Sequence, residues 1–490
     1  MFNRIAQDQS ARQQKFHSAP VRLAGLVVLV LLSLSCNFVM QAFQPPTPTP
    51  TITPSPLPTL TATSTVTPLP SATPLSADLY IPSSCQGIPA ATISPENINP
   101  VPTPQLDPNP VISKDVQLRV FDQLTGTIKR VYLYPDFNGI DWAGLVSKTR
   151  SSVKAGLSTE EFYTEMGKLV TALGDEHSSY QSPSDVAQLD AELSGHSDFV
   201  GVGIMFDPIP DKKRIAILAV FPDSPAEHAG LKAHDSILKV DGMPVIENGL
   251  VSIWRVRGPQ CSAAVLTVQS PGGNPREVML IRNRITSAVA VDARLVKTQN
   301  GSRIGYIFLP SFFDETIPGQ VRKALEDFGQ LDGLIIDNRQ NTGGSSGVVE
   351  PILSFFTHGN LGSMVSRSGK NPLAVRADPI NNSQDVPLVV LVGEGTVSFG
   401  EIFSGILQDI GRAKIAGQTS LGNVEILNQY LFTDGSRAWI AEERFDPPVS
   451  HANWEKDGIR TDLDGYADWD TYTFETDPGI AAALQLLGQK

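Results

Sequence analysis

Apolar and polar positions change rhythm several times along the chain. Residues 23–34 (LAGLVVLVLLSL) are an unbroken apolar run. Residues 45–74 have no period at all; twenty of the thirty are Pro or Thr. Helical spacing returns with Val116, Leu118, Val120, Phe121 and Leu124, and two more helices are expected within 141–171. Asp141 or Ser158 would serve as N-caps there, with Glu160 and Glu161 complementing the helix dipole. The last of these helices runs into Leu173-Gly174-Asp175-Glu176-His177-Ser178-Ser179-Tyr180, where Gly174 is a plausible terminator.

Residues 198–285 alternate short apolar runs with turn residues: FVGVGIMF (199–206), IAILAVF (215–221), and ILKV (237–240) before Asp241-Gly242. Asp223-Ser224-Pro225 should cap a short helix that Gly230 ends. Beyond 300, strand and helix alternate. Strands are expected at 303–309, Gly333–Asp337 and 387–392, and helices at 317–329, Ser346–Phe356 and from Glu401 onward. That order predicts an α/β core with parallel pairing, in which function gathers at the carboxyl ends of the strands.

Composition narrows the class. The 490 residues allow two to four domains. A net charge of −13 disfavours a nucleic-acid partner. Cys36, Cys85 and Cys261 are too few for a disulfide scaffold and too scattered for a metal site. Residues 1–22 carry a net +3 ahead of the apolar run, the arrangement of a secretory signal or signal anchor over 23–40. Ser33-Leu34-Ser35-Cys36 resembles a bacterial lipobox with Ser33 in place of the usual leucine, so Cys36 is a candidate for lipidation, with an uncleaved anchor as the alternative. The Thr/Pro-rich segment 41–76 would act as an extended tether, its 30-residue core reaching on the order of 90 Å. The bulk of the chain is therefore expected at the membrane's outer side, where Cys85 and Cys261 either pair or remain free thiols. An irregular Pro-rich segment (77–115), a helical region (116–194), a β-rich unit (195–285) and an α/β unit (286–490) complete the organisation.

Ser398 follows a buried strand and precedes a helix, so it stands at a strand carboxyl end with helix amides behind it. Phe399 and the Gly343-Gly344 turn offer backbone N–H groups to a developing oxyanion. A plain helix cap is the alternative for Ser398. A GxSxG elbow is absent, because Thr396-Val397-Ser398-Phe399-Gly400 has only the second glycine.

Three stretches together resemble a known family. SPAEHAGLKAHDSILKVDG (224–242) resembles a PDZ domain, and DNRQNTGG (337–344) followed by VSFGEIFSGILQDIGRAKIAGQTSLGN (397–423) resembles the C-terminal processing and tricorn-like serine peptidases. The resemblance spans about 116–490. It implies a ClpP/crotonase-like α/β core with an N-terminal helical region and an inserted PDZ-like domain. It also implies a peptidase with Ser398 as nucleophile, needing no metal or other cofactor. In the PDZ-like unit, Val200, Gly201, Val202, Gly203 and Ile204 would receive a substrate's C-terminus. The processing branch uses a lysine where this chain has Asn423. Asparagine has no basic nitrogen, so either the chain is a dead, peptide-binding protein or another base serves. The tricorn-like branch takes a histidine from a turn resembling LGDxHS, which points to His177, although Glu176 stands where that type has serine. His196, His228, His234, His358 and His451 are rivals, His451 the best of them because it lies in the catalytic half. Glu455, before a segment like the family's E…GVxPD with Thr461 for proline, or Glu425, two residues beyond Asn423 on the same strand face, would orient the histidine.

Overall fold

A computed structural model describes residues 79–87, 109–175, 177–187 and 199–489, the side chains of 253 and 254 excepted. The expected anchor, Cys36, the tether and His196 lie outside the described residues. No helix among those described is long and apolar enough to cross a membrane.

Helices Lys114–Val131, Trp142–Ala155 and Thr159–Thr171 form a cap. Both anticipated N-caps are made. Asp141 accepts the Gly144 N–H at 2.9 Å, and Ser158 forms a capping box with Glu161. Gly174 ends the last helix with φ 70°. The apolar faces of the cap close on Phe121, Leu124, Phe162 and Met166, and on Ala438, Ile440 and Ala441 of a sheet from the C-terminal half. Each large side chain so buried contributes roughly 1.5–3 kcal/mol.

That sheet runs in the order Ser179–Gln181, Arg437–Asp446, Gly359–Ser366, Gly369–Val375, with Ile426–Leu431 also paired to Arg437–Asp446. Its first member matters most. Ser179–Gln181, starting two residues after His177, pair antiparallel with the C-terminal half, Ser179 opposite Trp439 and Gln181 opposite Arg437. Ser178 is tied in as well, since its Oγ accepts the Ala441 N–H at 3.0 Å.

The second sheet is the expected parallel core. Its order is Ala293–Val296, Ile304–Phe308, Gly333–Asp337, Leu388–Val392, Lys414–Gly417, Leu463–Asp464, parallel except for the first strand. Its central strands are buried at every position, as their unbroken apolar sequences require. Helices Ile317–Phe328, Ser346–Phe356 and Phe399–Asp409 cover one face. Helix Pro478–Leu486 and part of the β-rich unit cover the other.

The β-rich unit is an antiparallel sheet, Arg276–Ile281, Ala263–Gln269, Ser236–Val240, Arg214–Val220, Ile204–Ile209, around its own core. Ser224 caps the one-turn helix Pro225–His228, and Gly230 ends it with φ 73°. The unit docks on the parallel sheet through Ala216 and Leu218, through His234 Nδ1 on the Trp469 carbonyl at 2.9 Å, and through Trp469 Nε1 on the Ile217 carbonyl at 3.0 Å. Cys85 and Cys261 are joined in a disulfide, which resolves the sequence's open alternative and fastens residues 79–87 to this unit.

Candidate active site

The strand Gly333–Asp337 ends in a carboxylate that anchors the following turn. Burial opposes the Asp337 charge, but Arg339 beside it holds the carboxyl below the usual range. Arg339 bonds Asp337 and Asp477, and Tyr306 donates to Asp337 at 2.8 Å. Asn338 Nδ2 donates to the Gly400 carbonyl at 2.7 Å, Thr396 Oγ1 to the Asn338 carbonyl at 2.9 Å, and Val397 N–H to the Asn341 carbonyl at 3.0 Å. The polar residues of DNRQNTGG therefore fasten one strand-end turn to the next, the one carrying Ser398. This is why a carboxylate and then amide side chains close a strand that is apolar up to Asp337.

Ser398 is half-buried, and the helix behind it begins at Phe399, two residues before the expected Glu401. Its backbone has φ 55° and ψ −123°, a conformation that costs a non-glycine residue roughly 1–3 kcal/mol and is concentrated at functional sites. It does not act as a side-chain cap for its helix, so the plain-cap alternative fails.

Gly343 and Gly344 lie against it. A Cβ on Gly343 would come 2.8 Å from Ser398 Cβ and 3.0 Å from the Phe399 nitrogen. The expected role of Gly343 as an oxyanion donor needs correction, because its N–H is already donated to Asn341 Oδ1 at 2.9 Å. The amides of Gly344 and Phe399 carry no such bond among the described residues. Gly344 has φ 148°, and a Cβ there would overlap the Phe312 carbonyl at 2.1–2.2 Å. Gly344→Ala is therefore expected to cost about 2–4 kcal/mol of stability and to displace the turn, measured as a lower denaturation midpoint with loss of peptide turnover.

Glu401, from the same helix, was part of the recognised motif but had no assigned role. It is fully buried and accepts from Ser420 Oγ (2.5 Å) and from the N–H groups of Gly422 (3.0 Å) and Asn423 (2.7 Å). Burial pushes its carboxyl up to about 7 against those three donors. A lone acid inside the apolar segment FGEIFSGIL was the signal available in the sequence. Glu401 shapes the loop 420–423, whose Asn423 carbonyl accepts the Ser398 N–H at 2.7 Å.

The same loop leads to the histidine. Val424 and Glu425 donate their N–H groups to Glu455 Oε2 at 2.7 and 3.1 Å. Glu455 Oε1 then meets His177 Nε2 at 2.9 Å. Residues 423–425 precede the strand Ile426–Leu431, so the expectation that Glu425 shares a strand face with Asn423 does not hold. Glu425 nonetheless reaches the cluster. Its Oε2 is 3.9 Å from His177 Nε2, and its Oε1 accepts the hydroxyl of Tyr134, a residue the sequence did not single out. Burial and the Glu455 charge push Glu425 up to about 7. For His177, burial opposes the charge, but the hydrogen bond and charge of Glu455, with Glu425 and Asp175, leave its pKa above the ordinary histidine value. Asp175 shapes the turn by accepting the His177 and Ser178 N–H groups at 3.0 and 2.7 Å. These three donor atoms, on His177, Glu425 and Glu455, lie within 4.8 Å of one another, the chemistry of a divalent-cation ligand set.

The described rival histidines with side-chain partners are engaged elsewhere. His228 pairs with Asp223 and stacks on Tyr80, His234 is at the Trp469 interface, and His451 pairs with Asp446. In the β-rich unit, Gly201, Val202, Gly203 and Ile204 line a groove of about 190 Å³ with Phe199 and Arg257. Val200 is not on that lining; its backbone pairs with Arg284.

Residues 303–464 match the family described as Peptidase family S41. The chain is 30% identical over 375 residues to the carboxyl-terminal-processing protease of Picosynechococcus sp., covering 74% of this chain and 87% of that protein. It is 29% identical over 329 residues to the protein of the same name from Synechocystis sp., covering 66% and 75%. Among solved structures, the photosystem II D1 C-terminal processing protease superposes with a TM-score of 0.52 at 25% identity, over 77% of this chain and 98% of that one.

Proposed function

This chain belongs to peptidase family S41 and is a serine-type peptidase, and from that premise we propose that it cleaves peptide bonds through an acyl-enzyme on Ser398 with His177 as general base. The observation that carries the reading is the hydrogen-bonded path from Ser398 N–H to Asn423, along 423–425 to Glu455, and on to His177. Asn423 cannot take a proton at neutral pH, and the imidazole can. With Nε2–H donated to Glu455, the tautomer assigned by that partner leaves the lone pair on Nδ1. Nδ1 accepts the Ser398 hydroxyl proton as Oγ attacks the substrate carbonyl, and returns it to the leaving amine. Water then releases the acyl group by the same proton route. The Gly344 and Phe399 amides receive the oxyanion.

The finer architecture belongs to the same proposal. The parallel core is of ClpP/crotonase type, and the β-rich unit is PDZ-like. Its groove at Gly201–Ile204 takes substrate C-termini by strand addition, supported by the apolar lining of the groove and by the position of Ile204–Ile209 at the edge of its sheet. The protein acts outside the cytoplasm, tethered by its N-terminal apolar segment. The Cys85–Cys261 disulfide supports that location.

A base must be deprotonated to work, so a histidine raised above its ordinary value gives kcat/KM an acid limb displaced to higher pH. Glu455→Gln removes the negative charge that raises it. The limb is expected to move to lower pH while kcat falls by about 10²–10⁴-fold. A pH profile unchanged by Glu455→Gln would reject the pairing of this acid with the base.

A further inference from the structure

We propose that His177, Glu425 and Glu455 form a binding site for a divalent transition-metal ion such as Zn²⁺, and that its occupation switches the peptidase off. The inference rests, for its second half only, on His177 being the base. Glu425 Oε2 is a buried carboxylate oxygen with no hydrogen-bond donor among the described residues, on a side chain only 2% exposed, and it faces His177 Nε2. An unpaired oxygen of this kind is costly in a protein interior, and a cation at the cluster would satisfy it.

The remaining oxygens are already held as supports for metal ligands are. Tyr134 fixes Glu425 Oε1, and the Val424 and Glu425 amides fix Glu455 Oε2. Three atoms are left to converge: His177 Nε2, Glu425 Oε2 and Glu455 Oε1. Their separations from Nε2, 3.9 and 2.9 Å, bracket the roughly 3.3 Å edge of a tetrahedron with ligand bonds of about 2.0–2.1 Å. Glu455, with a side chain 22% exposed, gives the ion a path in. It is the one such three-ligand group among the described residues.

Coordination at Nε2 moves the ring proton to Nδ1. Both nitrogens are then occupied, and no lone pair remains to accept the Ser398 proton. Binding and inhibition are therefore separable consequences of one ion.

The test uses the tag-free full chain. Zn²⁺ titrated calorimetrically into Ser398→Ala protein is expected to bind one ion per chain. Adding Glu425→Gln or His177→Ala should weaken that binding by at least the ~10–100-fold that loss of a mere supporting partner costs. Thermal denaturation of each variant without metal confirms that it is folded, and a Zn²⁺-induced rise in Tm that disappears in both variants is the second readout. Failure to bind, or equal binding in both variants, overturns the site. In the wild-type chain Zn²⁺ should abolish peptide turnover, with recovery on chelation. Binding at this site with turnover undiminished would leave the metal site standing and remove His177 as base.

Discussion

Ser398→Ala is expected to lower peptide turnover by about 10⁴–10⁶-fold while leaving the fold intact. The side chain is small and half-buried, and it caps no helix, so its removal breaks no side-chain cap bond among the described residues. The turn is held instead by backbone and neighbouring groups: Val397 N–H on Asn341, Ser398 N–H on Asn423, and Asn338 on Gly400. Alanine also tolerates the unusual φ no better and no worse than serine does. What disappears is the hydroxyl proposed to become the ester. A fluorophosphonate probe should label the wild-type chain and not the variant. Equal labelling of both, or turnover retained by the variant, would remove Ser398 as the nucleophile. Peptide binding by a wild-type chain that neither reacts nor hydrolyses would instead favour a binding protein.

His177→Ala should reduce kcat/KM by about 10³-fold or more, with KM little changed, because in the proposed mechanism the imidazole moves a proton rather than holding substrate. The variant also removes the imidazole that stands between Glu455 and Glu425, 2.9 and 3.9 Å from their nearest oxygens. Their mutual repulsion then rises, so a small loss of stability is expected alongside the kinetic one. A second substitution distinguishes the proton-transfer role from a structural one. Asn423 stands where related peptidases carry a lysine, and its own carbonyl accepts the Ser398 N–H at 2.7 Å. Asn423→Lys in the His177→Ala background places an amine one residue's reach from the nucleophile. Recovery of at least ~10-fold in turnover, with an optimum shifted to alkaline pH, is the expected result. Recovery without that shift would mean that the lysine repairs structure and not proton transfer.

Much of the scaffold was legible because its signals are local. Unbroken apolar runs gave Gly333–Asp337 and Leu388–Val392 as buried strands, since a strand covered on both faces has no polar side to alternate with. Asp141 and Ser158 declared helix starts through side chains that satisfy amides three residues on. The serine's position between strand and helix was visible for the same reason. Less of the site was legible. Glu425 was expected on a regular strand, but Glu401 draws 420–423 into a loop through three hydrogen bonds that span about twenty residues of sequence. Gly343 was expected as a donor, but Asn341 takes its N–H within the turn. Tyr134 gave no signal, because its partner is 291 residues away.

The chain itself therefore determined which segments are helix or strand, the α/β order and the place of Ser398 between strand and helix, all of which depend on contacts within about one turn or one strand. Tertiary structure decided which acid meets His177, which amides stay open beside Ser398, and whether the two cysteines join. The decisive contact is the three-residue strand Ser179–Gln181 pairing with Arg437–Asp446. Backbone hydrogen bonds of that kind carry no side-chain signature, so the order of residues offered Glu455 and Glu425 as partners for His177 only through a family resemblance, and the pairing across 278 positions was decided by the fold.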